Sequence, residues 1–142
     1  MRLWDYARAA WGRPGVEAAC LALQDTHGQC IPLLLWRAWA ASEGRPAGDL
    51  AGVIDLARTW EDEVIASLRG ARRRLAGESA VRERVRAAEL AAERRLLELL
   101  ETETPAPNAA RDDLGHALTT LARAWNGAAM EDEIAALARL LR

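Results

Sequence analysis

Four arginines near the middle of the chain are the first residues whose types and spacing could do chemistry. Arg69, Arg72 and Arg73 stand at i, i+3 and i+4, so on a helix they share one face, and Arg74 lies beside them. Guanidinium groups suit bidentate contacts to phosphates and carboxylates, which makes this cluster a candidate site for an anion or for an acidic partner surface. The simpler interpretation is a solvated helix end whose arginines pair with nearby carboxylates.

Tryptophan is the second unusual feature of the composition. The chain has six tryptophans, and five of them fall in its first 60 residues: Trp4, Trp11, Trp36, Trp39 and Trp60. The simpler interpretation is core packing, with each indole N–H finding a hydrogen-bond partner. The alternative is an apolar groove for a ligand or for a partner helix.

Cys20, His27 and Cys30 are the residues that most resemble metal ligands. Two thiols and an imidazole can bind zinc, but a structural zinc site needs four ligands and no fourth lies nearby in the sequence. We therefore expect no metal and no cofactor, and we expect Cys20 to be a small buried apolar residue. Two cysteines are too few for a disulfide framework, which is typical of a reducing compartment.

One acidic pair precedes a histidine by a helical turn. Asp112 and Asp113 stand four and three residues before His116, a spacing that could orient a general base. The simpler interpretation is a solvated helix start with a favourable local pair. Because no catalytic motif or phosphate loop accompanies it, the sequence favours a protein that is not an enzyme.

The charge of the chain limits the class of partner. The net charge is −2, and all 19 basic residues are arginine. Residues 69–95 carry 9 arginines and 4 acidic residues, whereas the segments on either side are acidic. The overall balance argues against nucleic acid as a partner.

The sequence also bears on localisation. The longest apolar run, residues 31–36, is far shorter than a membrane span of about 20 residues, and the first residues do not resemble a signal peptide. We therefore expect a cytoplasmic protein.

Apolar spacing predicts the elements that position these residues. It indicates a single all-α domain over residues 1–142, a compact bundle of about six to seven helices without strands. Residues 32–42 are apolar nearly all round, which predicts a buried central helix. Asp49 is the expected N-cap of a long fourth helix, with a break conceivable at Gly70, and Asn108 is the expected N-cap of the sixth. The fourth and fifth helices should form a long antiparallel hairpin, the fifth burying a stripe of Val81, Val85, Ala88, Ala92, Leu96 and Leu99.

Residues 13–24 carry a family resemblance. They read RPGVEAACLALQ, follow Trp4 and Tyr6, and precede Gly28 and the LLLW run at 33–36; LRGARR stands at 68–73. Over roughly residues 3–100 this pattern is similar to that of a family of short, uncharacterised proteobacterial proteins that carry a domain of unknown function. The chain departs from the pattern at residues 30–32, and its last forty or so residues do not align. The resemblance implies an α-helical cytoplasmic protein without an assigned activity, and it transfers no catalytic residues.

Two functional hypotheses follow. The first is a non-enzymatic protein-interaction, regulatory or adaptor module that contacts another protein or a second copy of itself. The second is a helical bundle that binds, or acts on, an apolar or anionic small molecule in the tryptophan-rich region. A flat apolar patch would favour the first hypothesis, and a pocket of roughly 300 Å³ or more with converging polar groups would favour the second.

Overall fold

A computed structural model describes residues 1–109, 111–127 and 130–142, and within these ranges every regular element is helical. The helices are α1 (Leu3–Trp11), α2 (Val16–His27), α3 (Ile31–Ser42), α4 (Leu50–Trp60), α5 (Ala66–Arg74), α6 (Ser79–Glu103), α7 (Leu114–Asn126) and α8 (Glu131–Leu141). A π-helical turn, Glu61–Ile65, joins α4 to α5 without a break. The predicted all-α bundle is confirmed. No helix in these ranges is long and apolar enough to cross a membrane.

The bundle is built around α3. Every residue from Ile31 to Ala40 is buried, and α1, α2, α6 and α7 pack against this helix. Pro32 lies in the first turn, where its missing N–H costs no hydrogen bond. The indole N–H of Trp36 donates to Thr104 Oγ1 at 2.7 Å, and that of Trp39 donates to the carbonyl oxygen of Met1 at 2.9 Å. The predicted buried central helix is thus confirmed.

Helix ends follow local capping chemistry. Asp49 caps α4 as predicted, its carboxylate accepting a hydrogen bond from Gly52 N at 3.1 Å. The predicted start of the sixth helix at Asn108 is wrong, because α7 begins at Leu114, where the carboxylate of Asp113 accepts from His116 N at 2.8 Å. The backbone N–H of Asn108 instead donates to the carbonyl oxygen of Gly44 at 3.0 Å, which ties this loop to the end of α3.

The predicted hairpin extends away from the core. Helix α5 packs on α6 and buries none of its residues, and the buried residues of α6 begin only at Glu89. The predicted apolar stripe is therefore wrong in its first half, since Val81 is 52% exposed. We refer to residues 66–88, which comprise α5, the turn and the first part of α6, as the arm.

The arm contains a glycine that the structure does not require. Gly70 lies inside α5, the helix does not break there, and a Cβ added to it would meet no atom within 4 Å. We expect Gly70→Ala to stabilise the protein by about 1 kcal/mol, because glycine loses more backbone entropy than alanine in a helix interior. Thermal unfolding would detect this as a rise in Tm of roughly 2–4 °C.

Gly52→Ala is the matched control for this prediction. Its added Cβ would collide with the carboxylate of Asp49 that caps α4. We therefore expect Gly52→Ala to lower Tm. A destabilising Gly70→Ala substitution would contradict the continuous helix described above.

Candidate binding groove and its ion-pair cluster

A half-open cavity of about 290 Å³ lies between α1, α3 and α6, with one residue of α2 at its edge. We refer to it as the groove. Its walls are mainly apolar with a few charged side chains, and they consist of Trp4, Ala7, Arg8, Trp11, Gln24, Ile31, Pro32, Leu35, Arg86, Leu90, Glu93 and Leu97. The residues of α1 and those of α6 each repeat at three- and four-residue intervals, so each helix contributes one continuous face.

The structure divides the five early tryptophans between the groove and the core. Trp4 and Trp11 line the groove and are half-buried, and the guanidinium of Arg94 lies 5.1 Å from the centre of the Trp4 ring. Trp36 and Trp39 are fully buried in the core and do not line the groove. Trp60 packs half-buried against the core at the end of α4. Of the five tryptophans predicted to form an apolar groove, two line it.

An ion-pair cluster adjoins the groove where the arm meets the core. It consists of Glu61 in the π turn, Arg69 and Arg72 in α5, and Glu89 and Glu93 in α6. Arg72 contacts Glu89 through two hydrogen bonds, of 2.6 and 3.3 Å. Arg69 lies 2.9 Å from Glu61 Oε1 and 3.9 Å from Glu89 Oε1. The carboxylates of Glu61 and Glu89 thus share the two guanidinium groups. Glu61 Oε2 is buried without a hydrogen-bond partner among the described residues.

Glu93 belongs to both the cluster and the groove wall. Burial raises the pKa of its carboxyl group, and the neighbouring Glu89 carboxylate raises it further, while Arg69 acts in the opposite direction. The groove therefore has a carboxyl group in a mainly apolar wall, and this group retains its proton to a higher pH than an exposed glutamate. It can donate or accept a hydrogen bond depending on pH.

The four arginines predicted as an anion or partner site separate into two pairs. The side chains of Arg69 and Arg72 are only 13% and 16% exposed and face carboxylates within the cluster. Arg73 is exposed and lies 3.2 Å from Asp25 of α2. Arg74 is exposed and forms no ion pair within the described part of the chain. Of these four arginines, Arg73 and Arg74 are the two whose charge is exposed to solvent.

The remaining sequence candidates lie outside the groove. Cys20 and Cys30 are free buried thiols, and burial raises the pKa of each to about 12. His27 lies 3.5 Å from Glu133. Within the described ranges no group of three or more potential ligands could hold a metal ion. Asp112 pairs with Arg37 and Asp113 caps α7, so neither carboxylate is shown orienting the imidazole of His116.

Sequence reasoning missed most of the groove's polar and aliphatic residues. Arg86, Leu90, Glu93 and Leu97 follow one another at intervals of four, three and four residues, which is a helical stripe. This stripe alternates charged and apolar residues, and it runs beside the more apolar buried one. A search for mixed stripes next to the core stripe of a long helix would have found it.

The fold and the groove define an all-helical protein with a half-open, mainly apolar cavity bordered by arginines. A family model described as "Protein of unknown function (DUF2390)" matches residues 2–100, and the chain belongs to this family. The predicted membership of an uncharacterised family is thereby confirmed. No curated protein and no solved structure matches the chain. The matched range contains the whole groove and the ion-pair cluster and ends before α7.

The ion-pair cluster generates a stability prediction. Glu89→Ala would leave Arg69 and Arg72 without their shared carboxylate, and breaking such a largely buried pair costs about 3 kcal/mol. Chemical denaturation would measure the loss. Glu98→Ala is the control, because Glu98 lies on the same helix and pairs with exposed Arg94 and Arg95. We expect little change there, and equal effects at the two positions would contradict the structural role of the cluster.

The raised pKa of Glu93 generates a pH prediction. A carboxyl group whose folded-state pKa lies above its ordinary value of 4.5 binds its proton more tightly in the folded state. Its ionisation therefore lowers stability as the pH rises from below 4.5 through the raised pKa. We expect Glu93→Gln to match the wild type in Tm at the acidic end and to exceed it at neutral pH.

The measurement is a series of thermal unfolding curves from acidic to neutral pH on both proteins. Glu89 and Glu61, which raise the pKa of Glu93, and Arg69 and Arg86, which lower it, are present in both proteins. Comparing wild type with variant at each pH isolates the titration of Glu93 itself. A difference in Tm that stays constant across the series would contradict the assignment.

Proposed function

We propose that this protein is a non-enzymatic protein-interaction module whose groove receives an apolar side chain of a partner protein. The observation that carries the proposal is the accessibility of large apolar groups on rigid walls. Leu90 is 50% exposed, and it stands with half-buried Trp4 and Trp11 in one concave surface. Aromatic side chains at a solvent-accessible concave surface are typical anchors of protein interfaces.

The charge around the groove supports an acidic partner segment. Arg8 and Arg86 line the groove and are exposed, and Arg73 and Arg74 are exposed on the adjoining arm. The arm as a whole carries seven arginines and two acidic residues. A partner segment with one apolar anchor flanked by carboxylates would complement both features, and the charges would chiefly accelerate association and set its specificity.

Composition supports a protein partner in the cytoplasm over a nucleic acid. The chain is acidic overall, with a net charge of −2, so its basic arm is a local feature. Cys20 and Cys30 are free thiols, which fits a reducing compartment. The partner in this proposal is another protein, and self-association through the same groove would be an alternative form of it.

The concave shape and polar groups of the groove favour a second candidate function, the binding of an apolar small molecule. Its volume of about 290 Å³ lies just below the range of small-molecule sites, about 300–1,000 Å³, so only a small ligand would fit. Gln24 and Glu93 provide polar groups that could orient such a ligand. A ligand of this kind would occupy the same walls as the partner's anchor residue, so the two candidates exclude each other at one site.

Site-specific photo-crosslinking in the cell of origin tests the proposal. A photoreactive amino acid at Leu90 lies in the groove, whereas one at Val81 is equally exposed on the same helix but outside it. We expect a discrete protein adduct from position 90 and none from position 81. Charge reversal of the rim by Arg86→Glu should reduce the yield at position 90 by about tenfold, since like charges would oppose an acidic segment.

Three outcomes decide between the candidates. Identical adducts from both positions, or an adduct at position 90 that is insensitive to Arg86→Glu, would contradict the proposed partner. A small molecule retained in native mass spectra of the purified protein, and lost in Trp11→Ala, would instead favour the ligand-binding function. An adduct between two copies of the chain would identify the partner as the protein itself.

A further inference from the structure

A second cavity, of about 240 Å³, lies between α3, the start of α4 and the first turns of α7. It shares no residue with the groove. Its polar lining residues are Arg37, Asp112, His116 and Thr120, and Leu50 and Leu121 contribute to its apolar walls. The cavity wall therefore combines polar and apolar side chains.

Arg37 is the charged residue within the buried stretch of α3. The residue is only 5% exposed, and its guanidinium forms an ion pair with Asp112. Its Nη1 atom is buried and has no hydrogen-bond partner among the described residues. A guanidinium has five N–H donors arranged for a planar bidentate acceptor, so Arg37 has more donor capacity than Asp112 uses.

Asp112 is a half-exposed counter-ion for a deeply buried cation. Its side chain is 47% exposed, whereas that of Arg37 is 7% exposed. The neighbouring Asp113 caps α7 through His116 N, so the helix start does not depend on Asp112. Asp112 can therefore turn towards solvent without breaking the cap of α7, and its departure would leave the buried charge of Arg37 without a counter-ion.

We propose that this cavity binds a small monocarboxylic acid with a short apolar body, whose carboxylate pairs with Arg37 in place of Asp112. In this proposal the Asp112 carboxylate pairs with Arg37 while no ligand is bound, and the ligand displaces the Asp112 side chain into solvent. The apolar walls receive the body of the ligand, and Thr120 and His116 supply further hydrogen-bonding groups beside the carboxylate. The presence of a carboxylate on Arg37 and the apolar walls both favour a carboxylate ligand over inorganic phosphate.

Chemical rescue with benzoate tests this proposal. Asp112→Ala removes the internal carboxylate and should lower Tm by leaving Arg37 unpaired. We expect benzoate to restore the Tm of this variant saturably and to bind it at least tenfold more tightly than it binds the wild type, since the wild-type site is occupied. Benzamide has the same apolar ring without the charge, so it should not restore the Tm of the variant. Acetate lacks the apolar body, so it should restore the Tm only at an at least tenfold higher concentration than benzoate.

Asp113→Ala is the matched control, because it removes an adjacent carboxylate that caps α7 and does not pair with Arg37. Its loss of Tm should not respond to benzoate. If Asp112→Ala fails to fold, NMR on the wild type provides the test. The chain has two histidines, and of these His116 lines the cavity. Benzoate should shift the ring signals of His116 saturably without shifting those of His27. Equal rescue of both variants, rescue by benzamide, equal potency of acetate, or unmoved His116 signals at saturating benzoate would overturn the proposal.

Discussion

The enclosure of α3 is the constraint on which the rest of the structure depends. A helix that is apolar on every side has no face to offer water, so other helices must cover it all round. Helices α1, α2, α6 and α7 do so, and the indoles of Trp36 and Trp39 tie it to Thr104 and to the first residue of the chain. The covering helices leave two openings, and both candidate sites lie against α3.

The arm depends on a different kind of interaction. Helix α5 buries no residue, and its partly buried Leu68 packs against the core. The Arg72–Glu89 ion pair joins α5 to α6, and the Arg69–Glu61 pair joins it to the π turn, through which the helix is continuous. Largely buried ion pairs add little net stability compared with apolar packing, but they restrict geometry, because a misplaced partner leaves an uncompensated charge. The cluster thereby fixes the part of α6 that contributes Glu93 and Leu90 to the groove.

Local signals in the sequence were sufficient to predict the helices, but not to predict which face of each helix is buried. The apolar run and Pro32 identified α3, and Asp49 identified the start of α4, because these signals act within one or two turns. The wrong half-stripe of α6 arose because Val81 and Val85 keep helical spacing although no core reaches them. Spacing alone could not distinguish the largely buried Arg69 and Arg72 from the exposed Arg73 and Arg74. The carboxylates that pair with Arg69 and Arg72 come from Glu61 in the π turn and Glu89 in the next helix. Asn108 and Asp113 are both good N-caps, and the hydrogen bond from His116 N distinguishes them only in the folded chain.

The two openings against α3 share a physical pattern with opposite sign. Each brings one partly or fully buried ionisable side chain into a mainly apolar wall: Glu93 in the groove and Arg37 in the second cavity. Burial and the neighbouring Glu89 carboxylate raise the pKa of the Glu93 carboxyl group, so this group keeps its proton to a higher pH than an exposed glutamate. The second cavity instead holds the buried guanidinium of Arg37, and Asp112 supplies its counter-ion from the chain itself. An apolar anchor therefore suits the groove, whereas exchange of one carboxylate for another suits the second cavity.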